Sequence, residues 1–384
     1  MLTKNINFKN FEGKKINKKI SNSFKNLTLK KNEILKSLSE DYKDSFKKKN
    51  ILKFKKYTNI TIIGIGGSIL GSKCIYNFLK KKIKKKFFFN DNLEIEKFNS
   101  KKNLNLIISK SGNTLETITN SNILINNKNP NIFITENKKS YLFNLAQKLK
   151  AEIIHHNDFI GGRYSVLSEV GMLPAYLMGL NIKKFRKFNE LIKNKKFINS
   201  LILNVSNTLN LVNKKRFNSV ILNYDLESQD LFYWYQQLIA ESLGKKSKGI
   251  FPIVSNMPKD NHSLMQLYLD GKKNNFYTFF FFKDFSSKRI KNKYIIGSHK
   301  YLKDKKIMDI KYSQYSATLK VFRNRNIPFR TFEIKQKNEE TLGELFTFFI
   351  LETILLAKAM NVNPYDQPSV ELIKSATKKI LIKN

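Results

Sequence analysis

The chain has 384 residues, long enough for two domains with separate cores, and its 41% hydrophobic and 12% aromatic content marks it as globular rather than disordered. A single cysteine, Cys74, excludes an intramolecular disulfide and any cysteine-rich metal site. The formal net charge of +41 would draw the chain towards polyanions, but only seven of the 71 basic residues are arginine, the residue that base-reading sites favour. The lysines are spread along the whole length, so a solvated basic surface is expected, with loose polyanion binding at low salt and no specific nucleic-acid partner.

Residues 1–50 are polar and lysine-rich, show no strand-like run and are expected to form a helical segment. The first residues carry no apolar signal block, and a reduced, cytoplasmic location is expected. Residues 59–67 form a β-branched apolar run ending in glycines, followed by a helical stretch to Lys80. Runs at 103–109, 131–136 and 151–156 repeat the theme with helical segments between them, while residues 181–213 carry a helical pattern without strand signal. A second series follows at 218–224, 250–255, 275–282 and 329–335, interrupted by a basic, irregular region over 283–311 that reads as a surface excursion. A long helix at about 339–360, a loop over 361–368 and a last helix finish the chain. Residues 342–360 are the most apolar stretch, but Glu344, Glu352 and Lys358 interrupt it, so a core helix is expected and not a membrane span. Strands alternating with helices give an α/β fold: two domains, each a parallel sheet flanked by helices on both faces, plus a C-terminal helix. The expected divisions are 1–50, 51–185, 200–360 and 361–384, the last completing the site.

Ligands in such sheets sit where strands run into helix N-termini, and two such junctions carry chemistry. Gly64-Ile65-Gly66-Gly67-Ser68-Ile69-Leu70-Gly71 fails the dinucleotide fingerprint, because the third glycine would fall at Ile69. It reads either as a tight glycine turn or as backbone that a small ligand approaches closely, with the Ser68 hydroxyl and Gly67 in reach. Ser109-Lys110-Ser111-Gly112-Asn113-Thr114-Leu115-Glu116-Thr117 places Ser109, Ser111, Thr114 and Thr117 at one helix start, beside Lys110. An unliganded hydroxyl cap would explain one of these residues. Four of them together with free helix amides suit a phosphate monoester.

The second segment resembles the phosphosugar-binding loop of the sugar-isomerase domain family, and the first is similar to the Gly-Ile-Gly-Gly-Ser turn of the glucose-6-phosphate isomerase family. Ser111, Gly112 and Asn113 replace part of the usual loop pattern, in a form that also occurs in dual glucose/mannose phosphate isomerases. The resemblance implies two sugar-isomerase domains, hexose phosphate substrates, no metal or organic cofactor, and conversion of D-glucose 6-phosphate to D-fructose 6-phosphate in glycolysis and gluconeogenesis. That reaction carries a proton between C1 and C2 through an enediolate, so it needs a base, a group near the developing oxyanion and groups that open the ring.

Gln237 and Glu241 lie four apart on one helix face. Glu241 alone would be an ordinary surface carboxylate; in the family motif that this stretch resembles, the Glu is the base and the Gln contacts substrate. Arg163, between Gly161-Gly162 and an apolar helix, is either a loop-tying salt bridge or, as the similar Gly-Gly-Arg-x-Ser-Val motif implies, the group that steadies the enediolate. His262, in Asp260-Asn261-His262-Ser263-Leu264-Met265-Gln266, resembles the ring-opening histidine that the neighbouring subunit contributes in the family, which implies a homodimer. His155 and His156 are adjacent on a strand, point to opposite faces and receive no role. Asn363-Pro364-Tyr365-Asp366-Gln367-Pro368-Ser369-Val370-Glu371 with Lys374 is similar to the family's C-terminal signature, with Tyr365 for Phe. Gln367 and Lys374 are thereby implied as substrate-binding and ring-opening residues. Three rivals stand beside this reading: a dual phosphoglucose/phosphomannose isomerase, a non-catalytic phosphosugar sensor and a basic nucleic-acid binder.

Overall fold

The computed structural model describes residues 2–13, 15–30, 32–95, 102–126 and 128–383, and among them are ten strands, most of them apolar runs bounded by asparagine, glycine and lysine. They are β1 (Ile6–Lys9), β2 (Asn59–Ile63), β3 (Lys86–Asn90), β4 (Asn103–Ile108), β5 (Asn131–Thr135), β6 (Glu152–His155), β7 (Asn218–Asn223), β8 (Phe251–Asn256), β9 (Asn275–Phe282) and β10 (Phe329–Ile334). One sheet has the order β3-β2-β4-β5-β6 and is parallel throughout. The other has the order β1-β10-β9-β7-β8, with only β1 antiparallel. Every residue of β4 and β5 is buried, the signature of a strand covered on both faces and the reason these runs are apolar without alternation. The fold is the expected α/β class, two parallel-sheet domains flanked by helices.

Two elements differ from the sequence reading. The segment over 1–50 is not helical throughout: Ile6–Lys9 pairs with β10, Ile6 opposite Ile334 and Lys9 opposite Thr331. Four residues with polar neighbours carry no local strand signal; what makes them a strand is the free edge of β10. Strand β3 sits directly behind the lysine run over 80–86, which masks its Phe87-Phe88-Phe89 core in sequence. Residues 283–306 hold short 3-10 turns and one isolated bridge, Arg289 to Lys306, and are largely exposed, but the irregular region ends sooner than expected, because the helix Ile307–Asn324 begins inside it.

The helix Glu339–Ala359 is buried at Glu339 and from Thr341 through Ala357, and packs against the helices Lys195–Asn213 and Gln229–Leu243. Two of its buried carboxylates are bonded inside the protein. Glu344 accepts from Thr3 Oγ1 at 2.7 Å and Asn5 Nδ2 at 3.2 Å, and Glu352 pairs with Arg330. Among the described residues no helix is long and apolar enough to cross a membrane.

Strand order reverses at β2/β4 in the first sheet and at β7/β9 in the second, and crevices form at such switch points beyond the strands' carboxyl ends. Both glycine- and hydroxyl-rich turns leave the β2/β4 switch point.

Candidate functional site

Gly64, at the end of β2, lies so close to β4 that a Cβ there would sit 2.9 Å from the Ile108 carbonyl oxygen. The Gly64–Ser68 turn and the 109–117 loop are therefore neighbours. Gly66 adopts φ +56°, a left-handed conformation that favours glycine. A Cβ on Gly67 would meet the Gly162 carbonyl carbon at 2.2 Å, so the two glycine turns are pressed backbone to backbone. Gly67 serves this close approach, and Ser68 is half-buried beside it.

That contact delivers Arg163, which opens the buried 3-10 turn Gly162–Leu167. The helix Gln229–Leu243 approaches from the second domain: Leu231, Trp234, Tyr235, Leu238 and Ile239 are buried, and it lies against the helix Leu70–Phe78 of the first domain. This packing turns Gln237 and Glu241 towards the glycine turns, and a Cβ on Gly66 would come 2.9 Å from Gln237 Nε2. Gln237 Nε2 donates to Glu241 Oε1 at 2.8 Å and Arg163 Nη1 to Glu241 Oε2 at 3.1 Å. Arg163 further donates through Nη1 to Gln367 Oε1 at 2.9 Å, through Nε to Ser242 Oγ at 2.9 Å, and through Nη2 to the carbonyls of Pro364 at 2.6 Å and Asp366 at 3.0 Å. Its five N–H groups are all engaged. The arginine side chain is 2% exposed and the Glu241 side chain 28%. Each Glu241 oxygen accepts one bond and keeps a second lone pair, so the carboxylate is held yet free to take a proton. Gln237 Oε1 is buried without a partner.

The 109–117 loop is built differently. Ser109 is buried and shares a hydrogen bond with the Thr114 hydroxyl at 2.8 Å. Gly112 takes φ +65°, and a Cβ there would lie 2.1 Å from Ser140 Oγ. Thr114 stands at the N-cap of the helix Leu115–Leu124 but makes no side-chain cap bond, unlike Ser140, Ser168 and Asn338 at other helix starts. The first amides of that helix thus lack a side-chain acceptor, and Thr117 Oγ1 is buried without a partner. A buried unsatisfied hydroxyl costs about 1–3 kcal/mol, a penalty that an anion at the loop relieves. Ser111 is exposed, its hydroxyl accepting from Asn113 N at 3.3 Å. Lys110 turns aside: its ammonium donates to the Asp158 carbonyl at 2.6 Å and faces Glu136 at 3.6 Å.

Glu241, Gln237, Arg163 and Gln367 are therefore gathered beside the turn that carries Gly67 and Ser68 and adjoins the hydroxyl loop. His262 and Lys374 are not. His262 is exposed after β8, at the edge of the second sheet, in a turn organised by Asp260, whose carboxylate accepts from Ser255 Oγ, Asn256 N and Ser263 Oγ. Lys374 is exposed on the helix Val370–Lys383 and bonds Glu371 at 2.7 Å, one turn back. His156 is buried, and burial pulls its imidazole down to about 4. Sequence reasoning missed Ser242, Tyr164 and the Pro364 and Asp366 carbonyls around Arg163. Tyr164 OH donates to Pro364 O at 3.1 Å, and burial raises its pKa to about 12. Adjacency to Glu241 and Arg163 was the signal available for the first two. Among the described residues no group of three or more His, Cys, Asp or Glu side chains is arranged to hold a metal ion.

The phosphoglucose isomerase family model matches residues 12–250 of the chain. The glucose-6-phosphate isomerase of Methanocaldococcus jannaschii is 34% identical over 361 residues, covering 86% of this chain and 86% of that protein. In fold, the chain is similar to a hypothetical protein from Thermus thermophilus, with a TM-score of 0.83 at 22% identity and 95% of each chain covered. It is also similar to a glucose-6-phosphate isomerase from Chlamydia trachomatis, with a TM-score of 0.69 at 19% identity over 91% of this chain and 77% of that one. With a family match over more than half its length and a relative this similar, the chain belongs to the phosphoglucose isomerase family and is an isomerase of that type.

Proposed function

We propose that this chain interconverts D-glucose 6-phosphate and D-fructose 6-phosphate, a step of glycolysis and gluconeogenesis, by moving one proton between C2 and C1 through a cis-enediolate. The observation that carries the reading is the convergence of Glu241, Gln237, Arg163 and Gln367 on the glycine turn that adjoins the 109–117 loop. In this reading Ser109, Ser111, Thr114 and Thr117, with the first amides of the Leu115–Leu124 helix, take the phosphate. That fixes the far end of the open-chain sugar and brings C1 and C2 to Glu241. A Glu241 oxygen removes the C2 proton and returns it to C1, while the hydroxyl proton passes from O2 to O1. Arg163 holds the carboxylate and places positive charge beside the enediolate.

Ring opening is assigned to His262 and Lys374, both exposed in the single chain. An exposed histidine at a sheet edge is suited to complete a neighbour's site, so the working form is proposed to be a homodimer in the cytoplasm, with His262 donated across the interface. A coupled assay run in D2O from D-fructose 6-phosphate tests the reading. The expected result is turnover, with solvent deuterium appearing at C2 of the product. No interconversion in either direction would overturn the function, and a Glu241→Gln variant that turns over as fast as the wild type would overturn the base.

A further inference from the structure

We propose that Lys245 is a positioning residue: it fastens a C-terminal strap, residues 360–367, and through the strap fixes Arg163 and Gln367 against Glu241. The inference rests on the isomerase reading above. Three of the five Arg163 N–H groups go to the strap, to Gln367 Oε1 and to the Pro364 and Asp366 carbonyls. The orientation of the guanidinium, and hence its bond to Glu241, is set by where the strap lies.

Lys245 holds that strap from the Glu241 helix itself, two residues beyond Leu243. Its ammonium bonds Asp366 Oδ1 at 2.8 Å and the Asn363 carbonyl, and its side chain is 11% exposed. Asn363 Nδ2 donates to the other Asp366 oxygen at 3.0 Å, so the carboxylate is gripped from both sides. The Lys245 bond holds the Asp366 carboxyl below the usual carboxylate range. Further ties run from Lys248 Nζ to the Met360 carbonyl at 2.9 Å and from Asn32 Nδ2 to Tyr365 OH at 3.0 Å. Lys245 bonds Asp366 and Asn363, not Glu241, Gln367 or Arg163, so its effect reaches the carboxylate by way of the strap. The 109–117 loop makes its own bonds to the turn beyond β5 and to Ser140's helix, and leans on none of these ties.

The split between binding and turnover follows. Lys245→Gln should lower kcat about tenfold to a hundredfold, the scale of a misplaced reacting group, while the KM for D-fructose 6-phosphate stays within about threefold because phosphate contacts persist. Asp366→Asn attacks the same pair from the strap side and should act alike, Lys245→Arg should recover most of the loss, and hydrogen exchange over 360–367 should quicken in Lys245→Gln but not in Lys245→Arg. An unchanged kcat in both Lys245→Gln and Asp366→Asn, or a fallen kcat with strap exchange unaltered, would overturn the proposal. A wild-type chain that turns over neither sugar phosphate would overturn the isomerase reading instead, and the exchange comparison would still decide whether Lys245 holds the strap.

Discussion

Arg163 and Arg330 are two buried arginines with the same kind of partner and opposite consequences. Arg330 donates to Thr278 Oγ1 at 2.9 Å, Asn204 Oδ1 at 2.8 Å, Tyr235 OH at 3.3 Å and Glu352. Glu352 also accepts from Asn204 Nδ2 at 2.6 Å and Tyr235 OH at 3.2 Å, and both members of the pair are 1% exposed. Every partner there lies on a strand or helix of the second domain's core. Arg163 instead joins a turn of the first domain, a helix of the second and a C-terminal strap, and its carboxylate partner keeps a face open to solvent. A sealed ion pair fixes the fold; a pair sealed on the cation side alone leaves a carboxylate positioned and still reactive.

Substitutions at the two carboxylates break the comparison most strongly. Glu241→Gln should lose about 10²–10⁴-fold in kcat in the coupled assay, with its thermal midpoint nearly unchanged, because the amide can still accept from Arg163. Glu352→Ala should leave Arg330 buried and unpaired and cost about 3–5 kcal/mol in urea unfolding. Glu344 sharpens the contrast, being buried in the same helix as Glu352 but bonded only to neutral donors, Thr3 and Asn5. Burial raises it from the ordinary 4.5 to about 7. A carboxyl whose folded value lies above its unfolded one contributes stability below about pH 4.5 and loses it as pH rises through about 7. Glu344→Gln should therefore gain on the wild type between pH 5 and 8, by up to about 3 kcal/mol in parallel denaturation curves. Thr117→Val gives the smallest effect: it removes a hydroxyl that has no partner in the protein, so stability should hold while the KM for D-fructose 6-phosphate rises about fivefold.

Much of the frame is legible in sequence because it depends on local pattern. The eight strands read from apolar runs, the core helix and the Gln237–Glu241 spacing all follow from periodicity and neighbours. Arg163 is conspicuous as a rare arginine between glycines and an apolar helix, yet most of its partners are not readable, since the Pro364 and Asp366 carbonyls carry no side-chain identity. Strand β1 exists because an edge far along the chain accepts it. His262 and Lys374 are found by motif, but one chain does not bring them to Glu241, and the surface that would do so belongs to no local pattern. The burial of Thr117 behind its own helix start is likewise a product of packing and not of spacing.

The pairing of β1 with β10 also bears on how the chain matures during synthesis. All five strands of the first sheet lie within residues 59–155, so that sheet can close while the remainder is still being made. Ile6 must wait for Ile334 to leave the ribosome, a delay on the order of tens of seconds at ordinary elongation rates. Until then Thr3 and Asn5 also lack Glu344, and this segment stays open to chaperones and proteases. The second domain is therefore stitched shut by a strand made well before its partner, and deleting Ile6–Lys9 should weaken the half of the molecule built around β10.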